Sequence, residues 1–170
     1  GEFLSREFEE FLDTSSINHT SCPPHVHQLN GVAERAIRTI VENMKSHLVA
    51  SNSKKSFWNY AATHSVDVLN RTTGPPHDST HSSFEIITGR KPKIMPILPF
   101  GCRAIPVKPR STYSKTNIDT KGLLGINLGR VPSIAKAYHV WIPHLHKVVI
   151  SSDVYFDESL MPWREQGDRR

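Results

Sequence analysis

Ala137-Tyr138-His139-Val140-Trp141-Ile142-Pro143-His144-Leu145-His146-Lys147-Val148-Val149-Ile150-Ser151-Ser152-Asp153-Val154-Tyr155-Phe156 is the stretch that decides the second half of the fold. Tyr138–Trp141 and Lys147–Ile150 alternate in the manner of strands with one face in a core. Asp153 and Val154 read on from Ile150, so His146–Phe156 is predicted as one last strand. Working backwards, Gly122–Asn127 and Gly101–Lys108 are two more strand-like runs. Four or five short strands at roughly ten-residue spacing predict a small β-barrel. About sixty residues lies near the lower limit for an independent core, so the barrel is expected to lean on what precedes it. In so small a barrel Tyr138, Trp141, Tyr155 and Phe156 are read as core residues rather than as a stacking platform for bases.

What precedes it is helical. Residues 91–99, with Lys91-Pro92-Lys93 and Pro96 to Pro99, read as a stiff linker. Ser82 or Ser83 caps a short helix, Phe84–Thr88, stopped by Gly89, and residues 73–83 are a loop by composition. Phe57, Trp58, Tyr60, Ala61, His64, Ser65, Val68 and Leu69 fall at three- and four-residue intervals and predict a helix over 56–72. Trp58 is expected to pack against the helix before it. That earlier helix, over 30–50, draws its apolar side from positions 33, 36, 37, 40, 41, 44 and 48. Further back, Ser5 caps a helix over 4–13 built on Leu4, Phe8, Phe11 and Leu12. Ile17 and Thr20 suggest a short edge strand, and Ser21–Asn30, with Pro23 and Pro24, a loop. The chain divides on this reading into a helical part (1–90), a linker (91–99), a barrel (100–158) and a polar tail (159–170).

Charge is unevenly spread along the 170 residues. The net is +5 with a pI near 9.4. Residues 1–30 hold five acids and one Arg, whereas residues 89–147 hold eleven Lys or Arg against Asp119 alone. A basic block of that size in a folding chain points to a polyanion, most simply nucleic acid. The two cysteines, Cys22 and Cys102, form no CxxC pair. That excludes a disulfide framework or a zinc knuckle and points to a reducing, intracellular compartment. No apolar run is long enough for a membrane helix and no signal peptide is visible, so no membrane partner is expected. The chain opens on Gly1-Glu2-Phe3 without a Met and reads as a piece of something longer.

The candidate chemistry sits at Gln28-Leu29-Asn30-Gly31-Val32-Ala33-Glu34-Arg35, where the long helix begins. An acid in a first helical turn complements the helix dipole, which is the ordinary reason for Glu34. Its neighbours give it a second reading. Arg35, Arg38 and Lys45 follow along the helix, with Glu34, Arg38 and Lys45 on one side of it. A carboxylate there suits a divalent metal and the cations suit phosphate, unless Glu34 and Arg38 simply pair with each other.

With these motifs assembled, the chain resembles the integrase of copia-type (Pseudoviridae) retrotransposons. The resemblance rests on Gly1-Glu2-Phe3, Asn30-Gly31-Val32-Ala33-Glu34-Arg35, Phe57-Trp58, Leu69-Asn70-Arg71, Phe84-Glu85, Thr88-Gly89-Arg90-Lys91-Pro92, Phe100-Gly101-Cys102 and Val149 to Glu158, all in the family's order. It covers residues 1 to about 163. The resemblance implies an α/β fold: the C-terminal half of an RNase H-like catalytic core, then a small Src-homology-3-like barrel. It also implies three catalytic acids, Asp, Asp and Glu. In the family the second Asp opens an Asp-x-Gly-Gly-Glu-Phe segment, of which Gly1-Glu2-Phe3 is present here. Restoring that pattern leaves 35 residues between the Asp and Glu34, two before Gly1 and then residues 1–33, which is the family's spacing. Glu34 thereby matches the third acid, a ligand for Mg²⁺ or Mn²⁺ in the intact enzyme. With one acid of three, the piece is expected to bind metal poorly and to be inactive alone. Leu29 departs from the family's Gln-Gln-Asn-Gly and puts a local DNA contact in doubt. The implied DNA contacts are Asn30, Arg35, Arg38 and Lys45, with Lys108, Arg110, Lys115 and Lys121 in the barrel segment. DNA ends and target DNA are the implied partners, homo-oligomerisation the implied assembly, and the nucleus the implied site of integration. The competing expectation is a decayed remnant that holds DNA or chromatin without catalysis.

Overall fold

The computed structural model describes residues 5–18, 31–75, 80–92, 97–107, 122–134 and 136–167. The chain divides into two compact units, Gly1–Ile37 and Arg38–Arg170. In the first, helix α1 (Arg6–Thr14) begins as predicted, with Ser5 Oγ accepting from the Phe8 N–H at 3.3 Å and acids in the first turn. Leu12 is buried but Phe11 is 59% exposed, so the apolar side of α1 is only partly covered. The edge strand expected at Ile17 does not form; Ser16 turns the backbone through φ 53° and Ile17 is exposed. Leu4, Thr20 and the Ser21–Asn30 loop lie outside the described residues. The first turns of α2 (Gly31–Ser51) complete this unit.

The second unit holds the rest of α2, then α3 (Trp58–Thr72), α4 (Ser83–Thr88) and five strands. Ser82 caps α4, its Oγ accepting from the Glu85 N–H at 3.2 Å, and the helix stops at Gly89. Strands β1 (Arg103–Pro106), β2 (Gly125–Arg130), β3 (Tyr138–Ile142), β4 (Lys147–Ser151) and β5 (Val154–Asp157) form one antiparallel sheet in the order β4-β3-β2-β1-β5. The single strand predicted over 146–156 is thus two strands. Ser152 and Asp153 form a turn, with Ser151 Oγ and the Val107 N–H both donating to the Asp153 carbonyl.

That turn rolls the sheet. β4 and β5 are consecutive in the chain yet lie at opposite ends of the strand order. A flat sheet of this many strands would separate its edges by about 19 Å, at about 4.8 Å per strand. Three chain steps from Ser151 to Val154 span at most about 11 Å. The edges therefore come together, and the sheet is a small barrel. An isolated bridge, Val107 to Gly122, closes the base of the segment between β1 and β2.

Strand alternation then sorts two cores. Leu98, Ala104, Tyr138, Val140 and Ile142 fill the barrel, joined by Val149, Val154 and Phe156. Leu98, within the stretch read as linker, is part of this core. On the outer face Phe57, Ala61, Phe100 and Leu128 form a second core with Leu48, Trp141 and Trp163. The barrel does lean on the helices, through this second core. Two readings are corrected here. Trp58 does not pack into the core; it is 59% exposed, and Phe57 takes that role against Trp141 and Trp163, ring centroids 5.2 Å away in each case. The buried stripe is Phe57, Ala61, His64 and Ser65, and position 58 lies about 100° off it. Tyr155 is not a core residue either, being 68% exposed, because β5 turns it away from the barrel interior that Phe156 enters. Residues 162–167 form α5 (Pro162–Gly167), and the Trp163 carbonyl accepts from Asn52 Nδ2 at 3.1 Å.

Candidate nucleic-acid interface

α2 is one uninterrupted helix, and Glu34 stands in its first turn beside the free N–H groups. Glu34, Arg35, Arg38 and Lys45 are all exposed. Arg35 Nε donates to the Gly31 carbonyl at 3.4 Å, which lays its side chain along the first turn. Arg38 follows one turn after Glu34, and Lys45 stands about two turns further on. The ion pairs among the described residues are Arg6–Glu10 and Arg71–Asp67; Glu34 and Arg38 do not form one. Asn30, Lys108, Arg110, Lys115 and Lys121 lie outside the described residues.

No three His, Cys, Asp or Glu side chains come together as a metal-binding set among the described residues. Glu34 offers one hard oxygen donor, which is too few for a divalent-ion site. The described residues support no step through an ion. Cys102 supplies no nucleophile, since burial pushes its thiol up to about 11 despite a hydrogen bond with Asn127.

Two polar features escaped the sequence reading. The first is a cavity of about 350 Å³ lined in part by Arg71, Thr72, Ser82, Glu85 and Lys91. Arg71 and Lys91 bring positive charge there with Glu85 opposing, but Arg71 is paired with Asp67 and the Thr72 hydroxyl donates to the Val68 carbonyl, each at 2.8 Å. The i, i+4 pair Asp67–Arg71 was the available signal. The second is the seat of α3 on β2. Asp67 meets Arg71 at 2.8 Å, and burial raises its carboxyl above the ordinary value, partly opposed by the charge of Arg130 on β2. Beside them His64 is 5% exposed, and burial, reinforced by the charge of His47, lowers it to about 4. The two imidazoles meet edge to face at 4.8 Å. His64 is therefore neutral at pH 7 and contributes packing rather than charge. Gly129, at φ +98°, passes so close that a Cβ would lie 3.2 Å from His64.

Phe100-Gly101-Cys102 fixes the barrel's entry to the helices. Gly101 sits at φ +85°, where a Cβ would come within 2.3 Å of Ser51 Cβ. Asn127, fully buried on β2, holds the same turn. Its Nδ2 donates to the Pro99 carbonyl at 2.9 Å, and its own carbonyl accepts from the Gly101 N–H at 2.8 Å.

Comparison with known proteins places this architecture. The family model for the retroviral polymerase SH3-like domain matches residues 102–169, the segment that holds the strands and α5. The Pol polyprotein of transposon TNT 1-94 from Nicotiana tabacum is 36% identical over 94% of the chain. Its homologues are copia-type retrotransposon Pol polyproteins. The retrovirus-related Pol polyprotein from transposon RE1 of Arabidopsis thaliana is 30% identical over 96% of the chain. The Ty1-LR3 Gag-Pol polyprotein of Saccharomyces cerevisiae is 26% identical over 87%. The chain spans 12%, 11% and 8% of those three polyproteins respectively, so it corresponds to a small region of Pol.

Proposed function

We propose that this chain is the integrase region of a copia-type Pol polyprotein: the end of an RNase H-like catalytic core followed by its SH3-like barrel. The observation that carries the reading is continuous similarity to Pol polyproteins across both the helical part and the barrel, 94% of the chain. The exposed acid and cations at the head of α2 support it. In the intact protein Glu34 would be the third carboxylate holding Mg²⁺ or Mn²⁺, together with acids outside these residues. When bound, such an ion would supply activation of a DNA 3′-hydroxyl or water and charge stabilisation at the leaving oxygen. Arg35, Arg38 and Lys45 meet phosphate beside it, with Asn30, which precedes Gly31 in sequence, as a further contact. Lys108, Arg110, Lys115 and Lys121 add backbone contacts that position DNA without reading its sequence. The integration step puts the protein in the nucleus.

The test has two arms. Fluorescence anisotropy with duplex DNA, taken from 50 to 200 mM salt, reads the phosphate contacts. Arg35→Ala and Arg38→Ala should each reduce the salt slope by about one. A salt-independent signal, or slopes unchanged in both variants, overturns the DNA-contact assignment. In a strand-transfer assay of the intact integrase, Glu34→Gln should lower product by about a thousandfold, the scale of metal-assisted charge stabilisation. The 170-residue chain alone should give none. A second reading, a DNA- or chromatin-binding remnant without catalysis, draws on the lack of a converging acid set among the described residues. It predicts DNA binding by this chain and an intact protein whose activity is nil with or without Glu34→Gln.

A further inference from the structure

Two buried polar atoms on facing elements have no hydrogen-bond partner among the described residues: Nδ1 of His64 on α3 and Nε of Arg130 on β2. His64 is 5% exposed, so bulk solvent does not serve it. Leaving such atoms unserved is costly, and native folds rarely do so. Both residues line one small cavity between helix and sheet, with Asp67, Asn127 and Gly129 also on its wall.

The cavity has room of about 10 Å³. That is about the least that one water molecule needs, and well short of an organic group. Gly129 preserves the room on the His64 side, since a Cβ there would stand 3.2 Å from Nδ1. The chemistry selects the same occupant. Arg130 Nε–H only donates, whereas a neutral imidazole accepts at one ring nitrogen. The positive charge of Arg130 favours a lone pair, not a proton, on the ring nitrogen that shares its cavity. Between that donor and that acceptor fits a molecule that accepts and donates at once. Water does both, and a halide does not donate. Asp67 can take the second hydrogen: its Oδ1 meets Arg71 at 2.8 Å, and a carboxylate has lone pairs to spare. Asn127 is already committed, donating to the Pro99 carbonyl at 2.9 Å and accepting from the Gly129 N–H at 3.0 Å.

We propose that the cavity binds one ordered water, which accepts from Arg130 Nε–H and donates to His64 Nδ1 and to Asp67, holding His64 as the Nε2–H tautomer. The water is then a fixed part of the joint between α3 and β2, where helices and barrel meet. It serves that joint alone and is independent of the catalytic reading of Glu34.

The test is a high-resolution crystal structure of the 170-residue chain, paired with long-range proton–nitrogen NMR of its histidine rings at pH 7. Both are needed because crystallography does not ordinarily show which ring nitrogen carries the proton. One water is expected within about 2.7–3.2 Å of both His64 Nδ1 and Arg130 Nε, with an Nε2–H spectrum for His64. Water-oxygen relaxation dispersion should count one long-lived water fewer in Arg130→Met, with circular dichroism confirming the fold. Should that variant unfold, the position and tautomer in the unsubstituted chain decide. A proton on His64 Nδ1, a direct His64–Arg130 contact, or no water at that position overturns the proposal. So does a bromide anomalous signal there in crystals grown with bromide, or an unchanged dispersion in folded Arg130→Met.

Discussion

His64 shows how a residue that looks chemical becomes structural. Ten histidines in the chain invite a search for a metal site, yet His64 is buried under α2 and β2 with its Nδ1 unpartnered. Its folded value of about 4 lies below the ordinary 6.5. Between those two values the unfolded chain binds a proton that the folded chain refuses, so stability falls as pH drops through that window. His47 and His139, both lowered by burial, act in the same direction. Urea unfolding midpoints at pH 7, 5.5 and 4.5 should decline, by an amount worth roughly 2–3 kcal/mol for His64 alone. A His64→Phe variant should flatten much of that decline; an equally steep profile would remove His64 as the cause. Residue-scale features of this kind were not legible beforehand. Helical spacing sets His64 apart from His81, which lies in the loop and is exposed, but does not say that His64 is buried. Only the arrival of β2, more than sixty residues later, buries one and not the other.

At the scale of elements, α3 was predicted in place and length but rotated by one residue. The three- and four-residue spacing is satisfied almost as well by a stripe through Trp58 as by one through Phe57, and size favoured the tryptophan. The 3₁₀ turn Lys55–Phe57 decides otherwise, delivering Phe57 to the sheet before the α-helix begins. Phe57→Ala should therefore cost about 3–5 kcal/mol in chemical denaturation, as for a buried aromatic. Trp58→Ala should cost less than about 1 kcal/mol, as for an exposed position. The reverse order would put the core stripe back on Trp58. The strands were legible where alternation was strict, as in β3, whose Tyr138, Val140 and Ile142 enter the barrel while Trp141 meets the helices. The break at Ser152–Asp153 was missed because both flanking runs are β-formers, although Ser151-Ser152-Asp153 is itself a run of turn-forming residues. Glu34, by contrast, could be placed on the first turn of α2 from its position alone.

On the whole-molecule scale, helices and barrel are joined by contacts that the order of segments does not announce. The chain was read as a helical part, a linker and a barrel, and the structure gives the second unit two cores, one inside the barrel and one between it and the helices. Leu98 and Trp163, at either end of the barrel segment, each serve one of them. The segment between β1 and β2, residues 108–121, lies outside the described residues. Its neighbours Val107 and Gly122 already pair, and β1 and β2 hold register on their own through Arg103–Ile126 and Ala104–Gly125. The strand pairing that brackets residues 108–121 is thus set by residues outside that segment. Exchanging residues 108–121 for a Gly-Ser stretch of half or twice the length should alter stability by only about 0.6 kcal/mol per doubling. Thermal unfolding of the exchanged chain checks this, a collapse in midpoint being the contrary result. Under the proposed DNA contacts, Lys108, Arg110, Lys115 and Lys121 could change in number and spacing while the strand pairing on either side of them stays the same.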